Sequence, residues 1–231
     1  MKKQHIFFDL DNTLWDHRKN AELTLQELFR KEYIAERYSI SFDEFHREYF
    51  TINESLWAKI RDGEIDKEYL RKHRFYDTFL FFGIDDLELS QKFENQFLDE
   101  VLSYNELVNG AYEILEYLAE KQYTLHILSN GFQEVTYRKC ELSGIKNYFA
   151  TITSADEIGI RKPQPEIFQF ALNKANAKKE ESIMIGDDWI ADAEGASRFG
   201  IDAVFFDIFN DDYKADNIKI IKSLDEIKMF L

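Results

Sequence analysis

The chain opens with an apolar run, His5-Ile6-Phe7-Phe8, that stops at two carboxylates one residue apart, Asp9 and Asp11. A short run of this kind predicts a buried strand that delivers charge at its carboxyl end. After Trp15 the apolar spacing becomes helical and stays so for a long distance. Leu23, Leu25, Leu28, Phe29 and Tyr33 predict a helix over 20–38. Ser41-Phe42-Asp43-Glu44 reads as a capping box opening a helix over 41–60, with Phe45, Tyr49, Ile52, Leu56 and Trp57 along it. Two more helices are expected over 66–82, after the turn Asp62-Gly63-Glu64, and over 88–104, after Gly83.

From Asn109-Gly110 onward, strands and helices alternate. A helix over 111–121 feeds a strand over 124–128, which ends in Ser129-Asn130-Gly131. A helix over 132–143 stops at Gly144 and leads to a strand over 149–153. Both prolines of the protein fall in Arg161-Lys162-Pro163-Gln164-Pro165, just before a helix over 166–176. A strand over 182–185 ends in Gly186-Asp187-Asp188-Trp189-Ile190-Ala191-Asp192, followed by a helix over 193–199 and a strand over 202–206. The tail reads as a strand over 217–221 and a helix over 224–231. This alternation predicts an α/β fold: a Rossmann-like, doubly wound parallel sheet core formed by 1–15 and 89–231, with an inserted all-helical domain over 16–88. Ligands of such sheets bind outside the carboxyl ends of the strands, where Asp9, Asp11, Ser129 and Asp187 all fall.

Composition narrows the partners. With 231 residues, 45% of them hydrophobic, the chain can build one sizeable core and a smaller second unit. A net charge of -15 opposes a nucleic-acid polymer or an anionic membrane as partner, and a small anionic substrate then needs local cations. Lys2 and Lys3 lead into only a short apolar stretch, and no uninterrupted apolar run is long enough to span a bilayer, so a cytoplasmic protein is expected. The one cysteine, Cys140, lies in a helical stretch without a neighbouring histidine and is expected to be packed rather than nucleophilic.

Two carboxylates as close as Asp9 and Asp11 call for a divalent metal, a shared proton, or both. Asp9-Leu10-Asp11-Asn12-Thr13-Leu14 resembles the D-x-D-x-T-L motif that opens phosphatases of the haloacid dehalogenase superfamily. Three further segments fall in the family's order: Ser129 after the second strand, Lys162 followed by Pro163, and Asp187 with Asp192 in a G-D-x(3,4)-D form. The resemblance implies a Mg²⁺-dependent phosphomonoester hydrolase. Asp9 would be the nucleophile that forms an aspartyl-phosphate. Asp11 would be general acid and then base, with a raised pKa, its backbone carbonyl also meeting the metal. Thr13, Ser129, the backbone donors of Asn130 and Gly131, and Lys162 would bind the phosphate. Asp9, Asp11 and Asp187 would hold the metal, with Asp188 and Asp192 as acidic partners behind them. Asp188 departs from the Ser or Asn that many members carry at its position. The insert would correspond to the superfamily's helical cap, which discriminates among leaving groups.

For the substrate, a small phosphorylated metabolite is expected. Ser129-Asn130-Gly131-Phe132, Lys162-Pro163 and the Phe- and Tyr-rich insert resemble the bacterial pyrimidine 5'-nucleotidase branch, which implies nucleoside monophosphates. Phe42, Phe45, Trp57 and Tyr69 would either stack on a base or form the core of the insert; His17, Arg18 and Lys19 would line the entrance or lie in solvent. A sugar phosphomutase on the same core is the alternative. A dehalogenase is disfavoured because a halide leaving group needs no proton from Asp11, and a non-catalytic binding protein because no charged core residue is missing.

Overall fold

The first strand takes the centre of the sheet because none of its apolar side chains can be left to water: Ile6, Phe7 and Phe8 are all buried. The computed structural model describes residues 3–231. Its strands are β1 (His5–Phe8), β2 (Thr124–Ser129), β3 (Phe149–Ser154), β4 (Ser182–Gly186), β5 (Asp202–Phe206) and β6 (Lys219–Ile221). They form one parallel sheet in the order β3-β2-β1-β4-β5-β6. His5 pairs with Thr124 on one side and Ser182 on the other. The chain winds outward from β1 to β3, then crosses back to β4 on the other flank. That reversal makes the carboxyl end of β1 the switch point, the place where open α/β sheets bind their ligands.

The chain divides into a core unit, residues up to His17 with those from Asn105 onward, and a helical unit, Arg18–Tyr104. The helical stretch comprises α1 (His17–Lys31), α2 (Ile34–Tyr38), α3 (Phe42–Arg61), α4 (Lys67–Phe81) and α5 (Leu87–Glu100). The single helix expected over 20–38 is two helices, because Tyr33 turns into the left-handed region at φ 53°. The Ser41 capping box is present, with Ser41 Oγ accepting from Glu44 N at 3.3 Å and Glu44 Oε2 from Ser41 N at 3.0 Å. Asp66 and Asp86 cap α4 and α5 in the same manner, through Tyr69 N and Leu89 N.

The insert runs past its expected end at residue 88, because α5 supplies part of its apolar interior. Phe93 lies against Phe79 and Phe75, with ring centroids 5.0 and 5.6 Å apart, and Phe97 lies against Phe75 at 5.6 Å. A buried fork between Arg74 of α4 and Glu94 of α5, at 2.6 and 2.9 Å, fixes how the two helices meet. Phe45 is fully buried among Phe29, Phe79 and Phe93, which removes it from the residues that could stack on a base. Phe42 packs on the edge of Phe29, while Tyr69 is 43% exposed and stacks on His73.

The core unit adds α6 (Ala111–Glu120), α7 (Gln133–Leu142), α8 (Pro165–Ala175) and the short α9 (Gly195–Phe199), which a π-helical turn over Trp189–Glu194 precedes. Phe7, Leu128, Met184 and Phe205 of the sheet pack with Phe168 and Leu172 of α8 and Ala196 of α9. Where the chain leaves for the helical unit and where it returns, it is paired with itself: Val108 N donates to Leu14 O at 2.9 Å and Asp16 N to Glu106 O at 3.0 Å. Cys140 is buried, and burial pushes its thiol up to about 12. Among the described residues no helix is long and apolar enough to cross a membrane.

The place of Phe45 in the packing carries a stability prediction. Phe45→Ala should destabilise the helical unit by about 3–5 kcal/mol, the usual loss for emptying a phenylalanine site, and Phe45→Leu by clearly less. Urea unfolding followed by circular dichroism measures both.

Candidate active site

Asp9 continues the pairing of β1 by one residue, its N–H donating to Ile185 O at 2.9 Å. A tight turn follows, in which Leu10 O accepts from Leu14 N and Trp15 N, while Asn12 adopts φ 58°. The turn separates what the sequence placed side by side: Asp9 and Asp11 meet different lysines.

Lys162 is the cation of Asp9. Its Nζ is buried and donates to three oxygens: Asp9 Oδ1 at 2.7 Å, Asp192 Oδ1 at 2.6 Å and Leu128 O at 2.6 Å. Burial opposes its charge, but Asp192 and Asp9 hold the ammonium well above its ordinary pKa. Asn130 secures this lysine through the backbone, its Oδ1 accepting from Lys162 N at 2.8 Å and its Nδ2 donating to Lys162 O at 3.0 Å. The side chain of Asn130 is thus committed to Lys162. Two glycines make room for the arrangement. A Cβ on Gly195 would come within 2.7 Å of Pro163, and a Cβ on Gly186 would collide with the carboxylate of Asp192.

Asp187 leaves the end of β4 and accepts from Thr13 Oγ1 at 3.0 Å. The hydroxyl of Thr13, expected at the phosphate, instead orients this carboxylate. Oxygens of Asp9, Asp187 and Asp192 lie within 4.8 Å of one another. Burial and mutual repulsion raise all three pKa values; for Asp187 the rise is large, with burial its main cause and Asp9 and Asp192 adding to it. Two buried carboxylates and a partly buried third cannot all be ionised beside a single ammonium, and all-oxygen donors suit a hard divalent cation such as Mg²⁺. Within the cluster Asp192 is already engaged, Oδ1 by Lys162 and Oδ2 by Asp188 N at 3.1 Å. Asp188 turns its own carboxylate to the backbone N–H groups of Ile190 and Ala191, at 2.9 and 2.8 Å, so it caps the following turn while its charge adds to the repulsion that raises Asp187 and Asp192.

Asp11 differs most from expectation. Its Oδ1 accepts from Lys139 Nζ at 2.5 Å, and His17 Nδ1 lies 4.0 Å away. Burial pushes its pKa up, yet Lys139 and His17 together hold it below the ordinary value. The raised pKa expected for a general acid is therefore not what the surroundings of Asp11 produce. Its carboxylate also stands outside the three-carboxylate cluster.

The loop after β2 brings Ser129 to the same strand ends. Ser129 Oγ, buried, accepts from Gly131 N at 2.9 Å, and Gly131 O accepts from Ser154 Oγ at 2.7 Å. Thr136 Oγ1 is buried without a hydrogen-bond partner beside this loop. Lys139 was absent from the residues singled out in the sequence, although a signal for it existed. The buried positions of α7 are Thr136, Lys139 and Cys140, and a lysine on the inward stripe of a helix implies a buried counter-charge.

Comparison with known proteins agrees with the geometry. A family model described as haloacid dehalogenase-like hydrolase matches residues 3–200. The HAD-hydrolase YfnB of Bacillus subtilis is 27% identical over 97% of this chain and 91% of its own length. Its magnesium-bound crystal structure superposes with a TM-score of 0.89, at 24% identity, over 100% of this chain and 99% of that one. The pyrimidine 5'-nucleotidase PynA of Streptococcus pneumoniae is 26% identical over 87% of this chain and 82% of its own. A glyceraldehyde 3-phosphate phosphatase of Pyrococcus furiosus is 30% identical over 87% of this chain and 79% of its own. A six-stranded parallel sheet, a buried lysine between aspartates at its switch point, and relatives over most of the length lead to one conclusion: the chain belongs to the haloacid dehalogenase-like hydrolases, as a phosphatase-type enzyme of that family.

Proposed function

We propose that this enzyme hydrolyses phosphate monoesters of small metabolites through an aspartyl-phosphate on Asp9, and that nucleoside monophosphates are its substrates. The observation that carries the reading is the cluster in which one buried ammonium, Lys162, joins Asp9 to Asp192 beside Asp187 at the carboxyl ends of β1 and β4. A carboxylate can approach an anionic phosphate only where cations offset the repulsion; Lys162 is one such cation, and the carboxylates beside it would hold a second. Asp9 and Asp187 would hold Mg²⁺, which when bound supplies charge neutralisation at the phosphate oxygens. The nucleotide preference is supported by the pyrimidine 5'-nucleotidases among the relatives, and the glyceraldehyde 3-phosphate phosphatases show that small sugar phosphates belong in the same test.

The chemistry would run in two halves. An Asp9 oxygen forms a bond to phosphorus as the ester P–O bond breaks; its electron pair passes to the leaving oxygen, which takes a proton from Asp11. Water then attacks the aspartyl-phosphate and gives a proton to Asp11, and the acyl P–O electron pair returns to Asp9. The sum is ester plus water to alcohol plus inorganic phosphate. Lys139 favours the ionised form of Asp11, which suits it as the base of the second half. For the first half Asp11 must take up a proton when substrate arrives. Ser129 Oγ, with the backbone N–H groups of Asn130 and Gly131, would orient the phosphoryl oxygens, and Gly131 N would exchange its bond to Ser129 for one to phosphate.

Two predictions follow from this reading. Asp9→Asn should reduce release of inorganic phosphate from nucleoside monophosphates to background in the presence of Mg²⁺ while leaving the melting temperature within a few degrees of the parent. Near-normal turnover would refute Asp9 as nucleophile, and a strict need for a sugar bisphosphate, with little free phosphate, would favour the mutase. The second concerns metal and pH. Because the folded cluster holds its protons more tightly than an unfolded chain, the metal-free protein should lose stability as pH rises from the ordinary carboxylate range, about 4, through the raised values. Mg²⁺ requires the same carboxylates ionised, so its stabilising effect should be larger at pH 8 than at pH 5. Thermal melts with Mg²⁺ and with chelator at both pH values measure the difference.

A further inference from the structure

Lys139 lies where a lysine is expensive. Its side chain is 6% exposed, on a helix whose neighbouring inward positions are Thr136 and Cys140. The ammonium sits 4.1 Å from the centre of the Trp15 ring, itself fully buried, and 2.5 Å from Asp11 Oδ1. Burying an ammonium this far costs several kcal/mol unless an anion and a π face take the place of water, and here both do. The pair is also directional. With Oδ1 taken by Lys139, Asp11 Oδ2 lies 3.6 Å from the point where a Cβ would stand on Gly131, and Ser129 Oγ lies 3.1 Å from that point. The other oxygen of Asp11 thus lies, with Ser129 Oγ and Thr136 Oγ1, around one point at the loop assigned above to the phosphate. Lys139 belongs to α7, the helix that grows directly out of that loop, so one rigid element sets both the loop and the anchor of Asp11.

We propose that Lys139 is a positioning residue of the active site: wedged between the Trp15 ring and Asp11 Oδ1, it fixes the carboxylate so that Oδ2 faces the leaving-group oxygen of a phosphate held at Ser129 and Gly131. The inference rests on the reading of Asp11 as the residue that exchanges protons with the leaving group. Without Lys139 the carboxylate would rotate freely, and proton transfer to the leaving oxygen would lose its alignment. Trp15 serves as the floor of the slot.

The experiment measures kcat/KM of the full-length enzyme with Mg²⁺ for 4-nitrophenyl phosphate, whose leaving group needs little protonation, and for phenyl phosphate, whose leaving group needs much. Lys139→Met keeps an unbranched stem on Trp15 and removes the ammonium. It should lower phenyl phosphate hydrolysis by about 100-fold and 4-nitrophenyl phosphate hydrolysis by less than about tenfold. Lys139→Arg should restore most of the difference, and Lys139→Met added to Asp11→Asn should cost nothing further. If Lys139→Met does not fold, Lys139→Gln carries the same comparison with a polar head in the slot. Equal loss on both esters, no loss on either, or a full additional loss in the Asp11→Asn background would overturn the inference while the phosphatase reading stands. A parent enzyme inactive on every phosphate monoester would instead overturn the reading on which the inference rests.

Discussion

The site depends on one ammonium. Lys162 brings two buried carboxylates, Asp9 and Asp192, to 2.7 and 2.6 Å from the same nitrogen, an arrangement that mutual repulsion would otherwise forbid. The neighbouring structure can be understood as what it takes to keep that nitrogen in place. Asn130 grips the lysine backbone from the end of β2 by two hydrogen bonds. Gly195 lets the start of α9 approach Pro163, and Gly186 leaves the end of β4 open to Asp192. Removing the ammonium would leave buried anions uncompensated, the most damaging way to break such a network. The cluster is nonetheless short of positive charge, and that deficit is what a divalent ion would fill.

A second lysine divides the labour. The two aspartates of the opening motif are separated by a single residue, yet each has its own cation from a different helix-forming segment: Lys162 ahead of α8 and Lys139 within α7. Asp9 is held among carboxylates that raise its pKa, and Asp11 stands beside cations that lower it. Without a divalent ion these directions run against the proposed roles, since a nucleophile must be ionised and a leaving-group acid protonated; a cation held by Asp9 and Asp187 would lower the first.

The fold was legible in the chain because its signals are local and mutually consistent: apolar runs ending in polar residues for the strands, a capping box for α3, glycine turns ahead of α4 and α5, and both prolines at the start of α8. The break at Tyr33 was not legible, since nothing in the side-chain pattern demands a left-handed residue there. The far edge of the insert was missed because α5 looks the same whichever unit its phenylalanines join. In the site, Asp9, Ser129 and Asp187 lie at the ends of β1, β2 and β4, and Lys162 lies in the loop just ahead of α8. The uses of Thr13, Asn130 and Asp188 were not readable. Each makes a hydrogen bond to a group that only the folded chain brings near, or, for Asp188, a cap that its sequence alone does not distinguish from ligation. Lys139 escaped notice for a related reason: a lone lysine in a helix is ordinarily solvated, and only its place on the inward stripe sets it apart.

The self-pairing of the chain around Leu14 and Val108 bears on the order in which the protein is made. β1 is synthesised first, but its partners begin at Thr124 and Ser182, so a strand with three buried apolar side chains leaves the ribosome long before its neighbours in the sheet. The helical unit lies between, built largely from contacts close in the chain, which form fast, whereas the parallel pairings of β1 must wait. An insert that folds during this interval draws Trp15 and Leu107 toward each other before the second strand exists, and so shortens the loop that β2 has to close. In that sense the inserted helices serve the nascent chain as well as the finished enzyme, by bringing the two ends of their own excursion together before the sheet closes.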